Sequence, residues 1–230
     1  MLAALSRNSY PYFDISEVIS ETDLLFKPYK SVKPIKAGNI LPDFTLGKES
    51  ARWQQFFNGA ETHGPVLLNQ LLNKPLVIGF YSNQWQVHGI DLLKQLNAVQ
   101  PDIKSLGGNI LIVSAEKERK LEKIAWVHSL SLSFYFDTEN EIAEKFRIYA
   151  EHDPIWNKFS GIDTNVPLLA TYVISPTGQI EYDHIEQDFT EAFPVKDIIS
   201  AVQRTSSTDN KVKNIYGSGW LESQAGSRGH

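Results

Sequence analysis

Between Tyr81 and Gly89 the chain reads Tyr-Ser-Asn-Gln-Trp-Gln-Val-His-Gly, and this stretch holds the side chains best placed to do chemistry. An apolar run precedes it and a helical pattern follows. A strand running into a helix start presents free backbone N–H groups and the positive end of the helix dipole. His88 falls in the first helical turn, where a neutral imidazole could act as a base or an isolated metal ligand. A histidine that merely packs is the simpler reading. Gln86 has no ionisable nucleophile; it can hydrogen-bond a ligand beside the helix start, or only satisfy its own backbone. Tyr81 and Asn83 are the neighbours that could assist His88.

Elsewhere the candidates are weaker. The chain of 230 residues contains no cysteine, which removes thiol mechanisms, disulfides and thiolate metal sites together. His63, His128, His152, His184 and His230 lack the close helical spacing of a metal site. A set such as His152, Asp153 and His184 would have to be gathered by the fold. Asp137, Glu139, Glu141 and Glu144 stand at a helix start, where acidic side chains suit the dipole. Asp183, Glu186 and Asp188 read as a solvated loop. No phosphate-binding glycine motif occurs, and Gly217-Ser218-Gly219 lacks the strand–turn–helix setting of a nucleophile elbow.

The elements that must position these residues follow from periodicity. Residues 76–81 and 109–114 are apolar runs of strand length and type. Between them Leu92, Leu93, Leu96, Val99, Ile103 and Leu106 recur at steps of three and four, one apolar helix face. Gly107-Gly108 ends that helix. Two such strands joined by a helix form a right-handed parallel βαβ unit. A second helix is expected over 116–130, a strand over 133–136, and a third helix capped by Asp137. After an aromatic loop at 151–165 come a strand over 168–175, a turn at Pro176-Thr177-Gly178, and an antiparallel partner from Gln179. Pro194 opens a last helix. Asp43 to Gly47 resembles a short edge strand, residues 65–72 a helical turn or two, and 15–26 an amphipathic helix or an extended arm.

A net charge of −5, with 22 basic against 27 acidic residues, leaves no excess for a nucleic-acid face. No apolar stretch approaches the ~20 residues that span a bilayer, and the N-terminal stretch lacks the pattern of a secretory signal. These features point to a cytoplasmic protein with no membrane partner.

Several of these stretches resemble the peroxiredoxin family, in its alkyl hydroperoxide reductase and thiol-specific antioxidant branch. Leu41-Pro42-Asp43-Phe44-Thr45-Leu46 is similar to the opening Ala-Pro-Asp-Phe-x-Leu. Phe80-Tyr81 and Trp85 resemble the strand end Phe-Tyr-x-x-x-Trp-Cys-Pro-x-Cys. Ala170-Thr171-Tyr172-Val173-Ile174 with Gly178 resembles Pro-Ala-Thr-Tyr-Val-Ile-Asp-x-x-Gly. The resemblance implies an α/β thioredoxin-like three-layer sandwich with a central mixed sheet. It also implies that the active site has been lost: Gln86 stands at the peroxidatic cysteine, Val87 at the following proline, Gly89 at the second cysteine and Leu169 at the proline facing the thiol. No Arg stands in residues 188–192, where related sequences often carry one.

The expected organisation is an N-terminal extension at 1–35, a thioredoxin-like domain at 36–204 and a flexible tail at 205–230. The expected function is a non-catalytic binding or interaction module, with no cofactor and no metal. Its contact surface is the former active-site locus, Tyr81, Ser82, Asn83, Trp85, Gln86, His88 and Leu169, joined by the aromatic loop around Trp156 and Phe159. The partner is a protein or a small molecule, a homodimer being open. The alternative is an enzyme with non-thiol chemistry, centred on His88 or metal-assisted, in the former active-site pocket.

Overall fold

β3 (Leu76–Tyr81) has every side chain buried, and β4 (Asn109–Ser114) all but its first. Strands of this kind are covered on both faces. In the computed structural model they pair in parallel, from Leu76 against Asn109 to Tyr81 against Ser114. The connection is α1 (Gln86–Ser105), which buries Leu92, Leu93, Leu96, Val99 and Ile103. After α2 (Glu118–His128), β5 (Ser133–Phe136) joins β4 in parallel. On its other side β3 pairs antiparallel with β6 (Ala170–Ile174), which turns back into β7 (Ile180–Ile185). A hairpin of β1 (Trp53–Phe57) and β2 (Ala60–Thr62) adds to β5 and completes the sheet order β2-β1-β5-β4-β3-β6-β7.

Side chains alternate across the sheet, so Gly79 shares a face with Val77 and Tyr81. On that face α1 lies close: a Cβ on Gly79 would stand 2.6 Å from a Leu96 methyl. Phe80, on the opposite face, packs its ring 5.0 Å from that of Phe146, which ends α3 (Glu141–Lys145). A fourth helix, α4 at residues 195–206, lies beside α1. There Val202 meets Gly108, and the Ser206 hydroxyl donates to the Leu106 carbonyl at 2.7 Å. Helices therefore cover both faces of a mixed sheet, the expected three-layer α/β/α sandwich.

The structure describes residues 31–42, 45–47, 52–62, 71, 73–116 and 118–206. The arm expected at 15–26, Asp43-Phe44, the turn at 65–72 apart from Leu71, and the tail from 207 lie outside them. Residues 32–230 form one unit and 1–31 another, and all described residues but Ser31 belong to the larger. Val32 and Ile35 are tied into it, their N–H groups donating to the Asp153 carboxylate and the Phe146 carbonyl.

Four expectations change. Thr45-Leu46-Gly47 is not strand: Leu46 is buried, but side chains hold the backbone, the Trp53 indole donating to Gly47 O and Gly47 N to the Tyr135 hydroxyl. The β1–β2 hairpin was not anticipated. Asn140, with φ 56°, occupies the N-cap of α3, while the buried Asp137 carboxylate accepts the Ile142 and Ala143 N–H groups from three residues earlier. Asp183 lies not in a loop but in β7, half-buried, accepting from Lys36 Nζ at 2.8 Å and Ala37 N at 2.7 Å; Glu186 pairs with His184 at 3.3 Å.

Candidate functional site

The junction between β3 and α1 is built by short-range hydrogen bonds. Ser82 leaves the strand in extended backbone, and its hydroxyl caps a 3-10 turn at Asn83–Trp85 by accepting the Gln84 N–H. The same hydroxyl donates to Glu116 Oε1 at 3.1 Å, and the Asn83 N–H donates to that oxygen at 2.9 Å. Glu116 thus reaches back from the end of β4 to fasten the turn. Tyr81 lies beneath, its hydroxyl buried without a hydrogen-bond partner. Burial, reinforced by the Glu116 carboxylate, pushes this phenol well above its ordinary 10 and keeps it a neutral donor.

Trp85 turns inward. Its indole Nε1 donates to the Pro167 carbonyl at 2.9 Å, and its ring meets Phe159 edge-on at 5.0 Å and Phe189 at 5.7 Å. Phe159 and Phe189 are 5.9 Å apart, and the His88 imidazole stacks on Phe189 at 4.0 Å. Phe159 is positioned by a loop stapled at both ends. Asn165 accepts from Ile155 N and donates to Ala150 O, while the buried Asp153 carboxylate holds Lys158 at 2.7 Å.

The result is an open groove of about 500 Å³ at the head of α1, lined by Gln84, Gln86, Val87 and His88 on one side and Phe159, Ile162 and Phe189 on the other. Val87 is 60% exposed. Gln86 opens the helix with φ 50° and ψ −123°, a conformation that favours glycine and stores strain in any other residue. Gly89 lets the helix approach the strand: a Cβ there would stand 2.9 Å from the Tyr81 ring and 3.0 Å from Ser82 O.

The expected site residues therefore divide into two clusters. The Ser82 hydroxyl and the Asn83 N–H meet Glu116 with Tyr81 buried beneath, whereas Trp85, Gln86 and His88 line the groove. Leu169 is buried at the start of β6, its carbonyl accepting from Glu186 N. Phe159 joins the site but Trp156, half exposed, does not line it. Phe189 and Glu116 escaped the sequence reading: each sits in a polar stretch with no local pattern to mark it. Among the described residues, no group of three His, Asp or Glu side chains could hold a metal, so His152, Asp153 and His184 are not gathered.

A model of the AhpC/TSA family matches residues 37–183, more than half of the chain. The chain belongs to the AhpC/TSA family. Peroxiredoxin Bcp of Escherichia coli K12 is 22% identical to it over 158 residues, covering 69% of this chain and 89% of that protein. Among solved structures, Enterococcus faecalis AhpC superposes with a TM-score of 0.55 at 14% identity, over 77% of this chain and 96% of its own. Mycobacterium tuberculosis AhpC gives 0.54 at 11% identity, over 75% and 98%. At these identities the likeness carries the fold, which is thioredoxin-like. Since this AhpC/TSA-family chain contains no cysteine, no residue of it can supply a thiolate. Among the described residues no helix is long and apolar enough to cross a membrane.

Proposed function

We propose that this AhpC/TSA-family chain is a non-catalytic binding module whose contact surface is the groove at the head of α1. The observation that carries this reading is the groove's state at the locus where the resemblance places the reactive thiol. Gln86 offers no nucleophile, yet the groove is formed, with an aromatic floor of Trp85, Phe159 and Phe189 and exposed Val87 and His88 on its lip. The strained backbone of Gln86 supports it further, since strain persists at positions that function retains. A His88-centred enzyme has less support: neither Tyr81 nor Asn83 is among the residues lining the groove, the Tyr81 hydroxyl is buried, and the His88 imidazole stacks on Phe189. A groove of this size and lining suits an apolar or aromatic side chain presented by a peptide.

A displayed random-peptide library tests the proposal. Selection on the full chain should enrich peptides with an aromatic or large apolar anchor, and Phe189→Ala should lose them by tenfold or more, as expected on the order of ~1.4 kcal/mol for a removed anchor contact. Equal enrichment on both proteins would sink the groove as the contact surface. Steady hydrogen peroxide turnover with a thiol reductant, in metal-free protein, would sink the non-catalytic reading.

A further inference from the structure

A second groove, of about 680 Å³, lies at the other end of α1. Its floor is a polar row across three strands. Gln55 of β1 stands opposite Thr62 of β2 on one side and Ser133 of β5 on the other. Directly paired residues project from the same sheet face, so the amide and the two hydroxyls form one ladder. Among the described residues, none of these three side chains has a hydrogen-bond partner. Thr62 is exposed, but Gln55 and Ser133 are partly buried, and polar groups partly removed from water cost free energy unless something pairs with them.

The wall above this row is rigid. Asn97 Oδ1 accepts from Ser131 N at 2.6 Å, Gln100 Nε2 donates to Ser131 O, and Ser131 Oγ accepts from Asn58 N at 2.8 Å. One serine thus ties α1, the hairpin turn and the entry to β5 together. With its oxygen engaged, the Asn97 amide keeps two N–H donors. Pro101 inside α1 has no N–H to give the Asn97 carbonyl, which leaves an acceptor at the same wall. At one end of the row the Phe57 ring is 70% exposed, an apolar platform beside the polar ladder. Lys104 is the charged residue among those lining the groove, and it sits in the last turn of α1, where the helix dipole is negative.

From this arrangement we propose that the groove binds a neutral polyhydroxylated small molecule, a mono- or disaccharide. Each sugar hydroxyl donates and accepts at once, as do the amides and hydroxyls of the ladder. The C–H face of a sugar ring packs on an aromatic ring, whose face is negative. Among the described residues the one cation of the lining, Lys104, sits at the negative end of the α1 dipole and gives a phosphate or carboxylate little charge to select it over a neutral ligand. The volume lies in the range of small-molecule sites. This site shares no lining residue with the groove at the head of α1, and the proposal stands apart from the binding-module reading.

Titration of the full chain with glucose, galactose and maltose, and separately with inorganic phosphate, followed by protein-observed NMR, tests it. A neutral sugar should saturate with a Kd on the order of ~1 mM, shifting the Gln55, Ser131 and Ser133 resonances. Phe57→Ala should weaken that sugar about tenfold, and Gln55→Leu should do the same in case the first variant fails to fold. The proposal is overturned if none of the three sugars saturates, if phosphate binds at the same residues more tightly, or if the folded variants bind as well as the parent.

Discussion

The two ends of α1 carry grooves of opposite chemistry on one rigid element. At its head the floor is aromatic, and its members arrive from distant loops: Phe159 from the stapled loop and Phe189 from the segment after β7. At its other end the floor is a polar ladder whose members are fixed by strand register. The first depends on side-chain packing and so tolerates backbone variation in its loops. The second depends on pairing, and a one-residue slip of β1 would turn Gln55 and Phe57 to the opposite face. Two routes to a surface site thus coexist, one built by packing and one by register.

The largest expected effect removes both grooves together. Val77 is fully buried in β3, a central strand of the sheet, and Val77→Asp places an unpaired carboxylate there at a cost of several kcal/mol, on the order of ~4. Thermal melting should show a loss of many degrees with both binding surfaces gone. A melt within a degree or two of the parent would mean that β3 is not the shared support.

A smaller change separates the two ends. Gly89→Ala forces a methyl against the Tyr81 ring and the Ser82 carbonyl, and overpacking of this kind costs roughly 1–3 kcal/mol. Because the strain lies in the first turn of α1, peptide binding at the head should fall while sugar shifts at Gln55 and Ser133 stay as they were. Equal loss at both grooves would show that α1 transmits the strain along its length. The same crowding explains why position 89 holds glycine: where the resemblance places a second cysteine, there is no room for a side chain.

The smallest effect concerns the buried phenols. Tyr81→Phe removes a hydroxyl without a partner and should raise stability slightly, by up to ~1 kcal/mol. The sign with pH is definite. Burial raises Tyr81 and Tyr172 well above the ordinary 10, so above that pH the unfolded chain gives up protons that the folded chain keeps. Stability should therefore fall as pH climbs past about 10. The double variant Tyr81→Phe, Tyr172→Phe should flatten the fall in a series of denaturant melts; an unchanged slope would locate the alkaline sensitivity elsewhere.

The sequence by itself determined the centre of this molecule. The runs at 76–81 and 109–114 and the leucine face of α1 follow from burial periodicity, which is local, and they fix the parallel pair and the helix between. The wording around Phe80-Tyr81, Trp85 and Ala170-Thr171 carried the family, and the missing cysteines were plain to read. The tertiary structure decided what the polar residues do. That the Asn83 N–H and the Ser82 hydroxyl are taken up at the turn depended on a carboxylate more than thirty residues away, 33 from Asn83. Phe189 became part of the site only through its approach to Trp85 and His88, a contact across a hundred residues that leaves no trace in periodicity. The β1–β2 hairpin had a local signal, Asn58-Gly59, whose left-handed backbone suits a tight hairpin turn. Its flanking strands mix glutamine with phenylalanine, and so the alternation that would mark them is faint. Polar residues have no burial preference strong enough to declare a face, and only pairing, of Gln55 to β5 and β2 and of Phe57 to β2, gives these two one.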